Sequence, residues 1–307
     1  MTGSGGNSGA GFAQARLSKS LLYPWYDSVW LSAYEEAKAI LRSVRPDALA
    51  AFVEAFRVFH PRPDFKVKSL KQPFEAATLA EIRRVTGALK PTDLELHEAR
   101  QFGRFVVHNH PFFTELQRRA VSWVSEAAGE PLEVSYNFLS LYSSSGVCAV
   151  HLDAPSAKWT LDVCIDQSAP WPIYLSEVQP WPDAVREEWK KEDWEERIKR
   201  SRSLEFTPYI LQPGQAILFS GSSQWHYRDP MPESGGKSTL LFFHFIPRGA
   251  GELVRPKNWA RLFGAPELSA LSERVEEPAK LAQAESPLPA AGCSAAAAAR
   301  SGASKRA

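Results

Sequence analysis

The hydrophobic pattern of this chain changes its period at Pro131, and that change limits the possible folds more than any other feature. Before Pro131 apolar residues recur at helical spacing, and after it they alternate with the period of two that is typical of a half-buried β-strand. Val134, Tyr136 and Phe138 share one side of the first such strand, which extends to Tyr142. Turns rich in Gly, Pro and Ser separate six further strand candidates, at 147–153, 159–165, 173–175, 209–211, 216–220 and 237–246. Helices first and strands second indicate an α+β protein, with helices that support one side of an antiparallel double sheet.

The same patterns predict a folded core, its supporting helices and two tails. Helical spacing predicts helices at about 33–41, 47–59, 75–89, after 93, and 112–128. The predicted segments are a disordered N-terminus at 1–15, a helical supporting region at 16–130, the strand-rich core at 131–248, a C-terminal helical segment at 249–277 and a disordered tail at 278–307. A charged helical insertion with tryptophans interrupts the core at about 181–204. It is either a surface helix whose tryptophans pack on the core, or a lid near the mouth of the core.

Composition and charge exclude several classes of partner. Of the 307 residues, 36 are Lys or Arg and 35 are Asp or Glu, so no global field attracts nucleic acid or an anionic membrane. No apolar run approaches the roughly 18–20 residues that cross a bilayer, and residues 1–11 lack the apolar centre of a secretory signal. Cys148, Cys164 and Cys293 have no metal-like spacing and are expected to be reduced thiols. We therefore expect a cytoplasmic protein without a nucleic-acid or membrane partner, and the sequence leaves its oligomeric state open.

His151-Leu152-Asp153 and the later His226 are the candidate metal ligands. Residues two apart on a strand point to the same side, so His151 and Asp153 can reach one metal while Leu152 packs away from it. Two imidazoles and one carboxylate can occupy one face of an octahedral Fe(II) ion and leave three adjacent positions open. A His-x-Asp triplet alone is a weak signal. The alternative is a group of hydrogen-bonded polar residues that holds no metal.

The residues around these ligands resemble the prolyl-4-hydroxylase-like branch of the 2-oxoglutarate/Fe(II) oxygenases over roughly residues 130–248. In that family a Tyr and a Gly-containing turn precede the His-x-Asp, as Tyr142 and Gly146 do here. A Pro/Gly turn there leads a strand that ends shortly before the distal histidine, as Pro213-Gly214 does before His226. The sequence departs from the family pattern at Cys148, where prolyl-hydroxylase-like sequences often have Tyr.

Lys237 resembles the basic residue with which this family holds the distal carboxylate of 2-oxoglutarate. It follows His226 by eleven residues, and the hydroxyl of Thr239 lies two positions further on. If Lys237 faces the interior of the core, strand alternation predicts that Thr239 does too, while His244 on the opposite face packs on the helices. Lys237 and Thr239 then hold one carboxylate together. The alternative for Lys237 is a solvated strand end.

Two further residues are candidates for the co-substrate. Arg228, two positions after His226, is a rival of Lys237 for the carboxylate, and Tyr142 is a candidate to assist whichever cation holds it.

The resemblance implies a fold, cofactors and a reaction. The fold is a double-stranded β-helix, that is, a jelly-roll or cupin-like barrel, supported by N-terminal helices. The cofactors are Fe(II) and the co-substrate 2-oxoglutarate, with ascorbate as an accessory. The implied reaction is hydroxylation of a C–H bond in a peptide residue or small molecule, coupled to decarboxylation of 2-oxoglutarate to succinate and CO2. Asp153 argues against halogenation, because the related halogenases have a small residue in its place.

Two other functions fit the same sequence. One is a cupin-type dioxygenase that does not use 2-oxoglutarate, and the other is a catalytically inactive binding scaffold.

Overall fold

A computed structural model of the chain describes residues 28–181, 193–232 and 236–271. The two predicted disordered tails lie outside these residues, as do residues 182–192 of the predicted insertion. In the described part, ten strands form the sheets: β1 (Lys68–Leu70), β2 (Arg104–His108), β3 (Leu132–Tyr142), β4 (Cys148–His151), β5 (Trp159–Gln167), β6 (Ile173–Leu175), β7 (Thr207–Tyr209), β8 (Ala216–Phe219), β9 (His226–Arg228) and β10 (Ser238–Pro247).

The described α-helices are α1 (Ser28–Val44), α2 (Pro46–Ala55), α3 (Ala76–Gly87), α4 (Ala99–Phe102), α5 (Pro111–Ala128), α6 (Trp194–Lys199) and α7 (Trp259–Leu262). Sequence signals set several of these ends. Pro46 and Pro111 occupy the first helical position, where the missing N–H costs no hydrogen bond. Gly129 ends α5 in the left-handed region at φ 79°, which glycine adopts without strain. Among the helices described, none is both long enough and apolar enough to cross a membrane.

The strands form two antiparallel sheets that pack face to face. The six-stranded sheet has the order β1-β8-β5-β10-β3-β2, and the four-stranded sheet has the order β4-β9-β6-β7. Between β3 and β10 the chain passes from one sheet to the other at nearly every connection. Side chains from both sheets share one buried cluster, with Leu240 and Phe242 from β10 against Ile173 and Leu175 from β6. This mixed helical and antiparallel architecture is consistent with the predicted jelly roll.

Helices cover the outer faces of both sheets, whereas the sequence predicted support on one side. Helices α3 and α5 pack on the six-stranded sheet, where Ile82 and Phe113 join the cluster of Phe243. Helices α1, α2 and α7 pack over the four-stranded sheet, in a cluster that includes Trp30, Phe52, Trp259, Val150, Leu152, Trp225 and Tyr227. The four-stranded sheet is apolar on its outer face, so leaving that face in water would forfeit its burial energy.

Short elements account for most of the other differences from the sequence prediction. The supporting region contains β1 and β2, which extend the six-stranded sheet at its two edges. The helix predicted after Asp93 is reduced to the four residues of α4, and β9 was not predicted. In the C-terminal segment the described helices are α7 and two 3-10 turns, at Pro256–Asn258 and Pro266–Ser269. Strands of three to five residues offer too few alternations for a period to be recognised.

Candidate metal centre

The three predicted ligands lie together at one end of the paired strands β4 and β9. His151 is the last residue of β4 and is registered opposite His226, the first residue of β9. Asp153 follows two residues later, and its backbone N–H donates to the carbonyl of Gly221 at 2.8 Å. Leu152 points the other way, into the cluster under α1 and α2. The predicted alternation of this triplet is therefore confirmed.

The ligand atoms face one another in a buried pocket. Asp153 Oδ1 is 3.4 Å from His151 Nε2 and 3.5 Å from His226 Nε2. One ligand atom from each residue lies within 4.8 Å of the others. The side chains are nearly inaccessible, with 8% of His151, 8% of Asp153 and 5% of His226 exposed. A single cation can therefore contact all three ligand atoms.

The hydrogen bonds of the two imidazoles select the tautomer that binds a metal. His151 Nδ1 lies 2.8 Å from the carbonyl of Ala149, and His226 Nδ1 lies 2.9 Å from the carbonyl of Gln224. A carbonyl oxygen only accepts, so each Nδ1 carries the proton and a neutral ring has its lone pair on Nε2. This is the arrangement in which metal-binding histidines are usually held. The donor set and its orientation fit an Fe(II) ion.

The second carboxylate oxygen of Asp153 is held by the protein. Thr160 Oγ1 donates to Asp153 Oδ2 at 2.7 Å. Gly221 leaves the room for this contact, since a Cβ there would lie 2.1 Å from Asp153 Oδ2 and 2.7 Å from the carbonyl oxygen of Ala157. Only glycine fits at position 221 without displacing the carboxylate.

The electrostatics of the cluster favour a positive charge at its centre. Burial alone would raise the pKa of Asp153, but His226 and His151 hold it well below its usual value. Burial alone would lower the pKa of His151, but Cys148 and Asp153 raise it to about 10. Burial, together with His151, lowers the pKa of His226. The pocket thus stabilises one positive charge beside an ionised carboxylate, and a divalent cation can replace the proton that supplies it.

The predicted orientation of β10 is wrong. Leu241, Phe243 and Phe245 pack against the helices rather than in the space between the two sheets. Thr239, which is in phase with them, therefore also points away from the site. His244, which was expected to face the helices, instead points at the metal ligands through Thr160. Lys237 is exposed, with its backbone hydrogen-bonded to Ser168. Both faces of β10 are mostly apolar and buried, so alternation alone cannot show which face points inward.

Arg228 is the predicted cation that lies inside the core. Its side chain is 3% exposed, donates to Asp162 Oδ2 at 2.7 Å and to the carbonyl of Trp171 at 2.5 Å, and stacks on the Trp171 ring. A guanidinium has five N–H donors, so this one keeps donors with no partner among the described residues. Tyr142 is buried against Trp171 as well, and burial raises the pKa of its phenol. Arg228 and Tyr142 therefore share one buried region with the metal ligands, and Lys237 does not.

Sequence reasoning missed several residues of the site. Thr160 and Asp162 lie at alternate positions among the otherwise apolar residues 159–165 of β5, and that period-two polar pattern is a signal for an inward-facing polar surface. Arg104, at the start of β2, donates to the hydroxyl of Tyr142 at 2.6 Å and pairs with Glu98. A buried arginine on an unpredicted edge strand carries no comparable signal.

A cavity of about 200 Å³ opens between β4, α4 and α6 and reaches the first ligand. His151, Cys148 and Arg104 line one side of it, and Phe102 and Trp194 contribute aromatic surface. Trp194 begins α6 and belongs to the predicted insertion, so this part of the insertion lies beside the site. Cys148 is a free thiol with its sulfur 4.0 Å from His151 Nδ1.

No family model and no curated protein matches the sequence. Among solved structures, the chain resembles HygX from Streptomyces hygroscopicus, crystallised with nickel and 2-oxoglutarate (12% identity, TM-score 0.42, 60% of this chain and 83% of that one). It also resembles SnoN, a non-heme alpha ketoglutarate dependent epimerase from nogalamycin biosynthesis (13%, 0.43, 66% and 84%). A third is an oxidoreductase of the 2OG-Fe(II) oxygenase family from Burkholderia pseudomallei (13%, 0.40, 64% and 89%). Likeness at this level carries no argument about function, which depends on the residues described above. These structural neighbours are members of the 2-oxoglutarate/Fe(II)-dependent oxygenases. The resemblance to the prolyl-4-hydroxylase-like branch stays a prediction.

Proposed function

We propose that this protein is a non-haem Fe(II) oxygenase that uses 2-oxoglutarate as co-substrate and hydroxylates a C–H bond. The observation that carries the proposal is the convergence of His151 Nε2, Asp153 Oδ1 and His226 Nε2 in a buried pocket. When bound, Fe(II) and 2-oxoglutarate supply the activation of dioxygen that such a reaction needs. The chain itself holds the three ligands in place, excludes water and positions the substrate.

The distal carboxylate of 2-oxoglutarate binds Arg228 in this proposal. A carboxylate gains most from a charged donor that is already desolvated, and Arg228 is buried within the core beside Tyr142. Asp162 and the carbonyl of Trp171 restrain the guanidinium through its two Nη groups, and the remaining N–H donors are left for the ligand. Lys237 remains the rival cation, at the exposed start of β10.

The substrate enters through the cavity lined by Phe102, Arg104, His151 and Trp194. Its size suits a small molecule or one side chain of a peptide rather than a folded protein surface. Aromatic and apolar side chains dominate one part of the lining, and Arg104 offers a cation on the other. This favours a substrate with an apolar body and a polar or anionic group.

Succinate formation coupled to oxygen uptake tests the proposed reaction. With Fe(II) and 2-oxoglutarate we expect slow succinate production that a substrate stimulates, and we expect it to fall at least about 100-fold in His226→Ala. The metal-free variant should still fold and unfold cooperatively, because it loses only the ring contacts of His226 with His151 and Phe219 and keeps the large apolar clusters. Oxygen uptake without succinate would favour the cupin-type alternative. Absence of stoichiometric Fe(II) binding would favour the scaffold.

The same assay separates the two cations. Arg228→Lys keeps the charge beside Asp162, and its loss of fork geometry should raise the KM for 2-oxoglutarate by roughly 10–100-fold. Lys237→Met is the matched variant and should leave that KM close to the wild-type value. A raised KM in Lys237→Met and an unchanged KM in Arg228→Lys would show that Lys237 binds the distal carboxylate of 2-oxoglutarate.

A further inference from the structure

Thr160 lies between the ligand Asp153 and His244, and its hydroxyl contacts both. Oγ1 is 2.7 Å from Asp153 Oδ2 and 3.1 Å from His244 Nδ1. Thr160 is 1% exposed and His244 is 2% exposed, so water does not compete for these contacts. The two residues are also registered opposite each other on β5 and β10, which fixes their separation through the backbone.

Counting the available protons shows that the hydrogen bonds linking His244, Thr160 and Asp153 run in one direction. A threonine hydroxyl has a single proton, and the carboxylate of Asp153 can only accept it. His244 Nδ1 must therefore donate to Thr160 Oγ1 rather than accept from it. The chain runs from His244 Nδ1–H to the Thr160 hydroxyl and on to Asp153 Oδ2.

The surroundings of His244 hold it in that tautomer. Its ring stacks on Tyr136 with centroids 4.2 Å apart, and Nε2 is buried without a hydrogen-bond partner among the described residues. If the proton moved to Nε2, it would sit on a buried atom without an acceptor, and Thr160 would face two competing acceptors. Both changes are unfavourable.

We propose that Thr160 and His244 are positioning residues that make Asp153 a ligand through one oxygen only. The proposal rests on the proposed function, because it concerns the same metal. Oδ2 is committed to Thr160, so Oδ1, which faces the two imidazoles, is the oxygen left for the cation. A carboxylate that bound through both oxygens would occupy a further coordination position. The hydrogen bonds from His244 through Thr160 to Asp153 would thus keep one coordination position open for the co-substrate or dioxygen.

Paired substitutions test the two links of the chain. Thr160→Val removes the hydroxyl at constant shape, and Thr160→Ser retains it. His244→Phe keeps the stacking on Tyr136 but removes the donor, whereas His244→Asn places an N–H near the position of Nδ1. Thr86→Val is the matched control, because the buried hydroxyl of Thr86 has no hydrogen-bond partner among the described residues.

Titration with Co(II), followed by its visible absorption, reads metal affinity and coordination together. We expect Thr160→Val and His244→Phe to weaken Co(II) binding by about 10-fold or more and to change the absorption bands. Thr160→Ser, His244→Asn and Thr86→Val should retain the wild-type affinity and spectrum. Wild-type behaviour in Thr160→Val would overturn the positioning role.

The tautomer of His244, read from the ¹⁵N chemical shifts of its ring in the metal-free protein, distinguishes the two levels of proposal. We expect the proton on Nδ1 in the wild type and its loss from Nδ1 in Thr160→Val. A proton on Nε2 in the wild type would refute the proposed hydrogen bond from His244 to Thr160, whatever the Co(II) titration shows. An Nδ1 proton in a protein that binds no Co(II) would refute the proposed function and, with it, the positioning role.

Discussion

The two faces of strands β5 and β10 carry different kinds of side chain. On the helix-facing side, the residues between 159 and 165 of β5 and between 241 and 245 of β10 are apolar and belong to one cluster: Trp159, Leu161, Val163, Ile165, Leu241, Phe243 and Phe245. The opposite side, toward the four-stranded sheet, mixes apolar residues with Thr160, Asp162 and His244, each hydrogen-bonded to another residue of the site. Because alternate residues of a strand point to opposite faces, β5 and β10 contribute both to the apolar cluster under the helices and to the site.

The difference between the two faces indicates that the residues that stabilise the fold and the residues that form the site lie on opposite sides of the same strands. Each large apolar side chain on the helix-facing side contributes about 1.5–3 kcal/mol by its burial. The buried pair of Arg228 and Asp162 on the other side is weak evidence for stability, since desolvation offsets much of the attraction between the charges. We therefore expect substitutions on the first face to change unfolding and substitutions on the second to change metal binding.

The largest expected effect comes from Phe243 and its neighbour Phe242, one residue apart on opposite faces. Phe243 is fully buried against the helices, so Phe243→Ala should lower the free energy of unfolding by about 3–5 kcal/mol. Phe242 is 9% exposed and stacks on Phe138 inside the site, so Phe242→Ala should cost less. Urea unfolding of the metal-free proteins measures both. If Phe242→Ala proves the more destabilising, the separation of the two faces is wrong.

A smaller effect is expected at Gly221, which lies against Asp153 and Thr160. The added Cβ of Gly221→Ala must displace the Asp153 carboxylate, so we expect Co(II) affinity to fall by about 10–100-fold. The overpacking should also cost about 1–3 kcal/mol of stability. Gly87→Ala is the control, since a Cβ at this last residue of α3 meets no atom within 4 Å. Unchanged metal affinity in Gly221→Ala would show that the carboxylate is not confined as described.

How much of the site could be predicted depended on the contrast between neighbouring residues. In His151-Leu152-Asp153 a polar, an apolar and a polar residue alternate, so the sequence shows which two side chains belong together, and the structure confirms it. After Lys237 both faces of the strand are mostly apolar, with the one histidine, His244, near its far end, and the choice of the inward face was wrong. Alternation reports the phase of a strand only where its two faces differ in polarity.

The fold was predictable to a similar degree. The long strands β3, β5 and β10 have enough alternations to be recognised, and the sheet order they build is consistent with the predicted jelly roll. The edge strands β1 and β2 and the short β9 were missed, because pairing with neighbours distant in sequence defines them. The cover of helices on the four-stranded sheet was also missed, since it depends on contacts between segments that are far apart in the sequence.

The smallest effect concerns pH and the site-facing residue His244. Burial lowers its pKa to about 4, well below the value near 6.5 of an unfolded chain. The unfolded state therefore takes up a proton first, so the stability that neutral His244 contributes is complete above about pH 6.5 and is lost as pH falls toward 4. Between pH 7 and pH 5 the metal-free wild type should lose on the order of 1–2 kcal/mol more than His244→Asn, which does not titrate. Urea unfolding at both pH values measures this difference. Equal losses in the two proteins would mean that His244 is not confined to its neutral form, and the face it belongs to would then be less strictly desolvated than the helix-facing one.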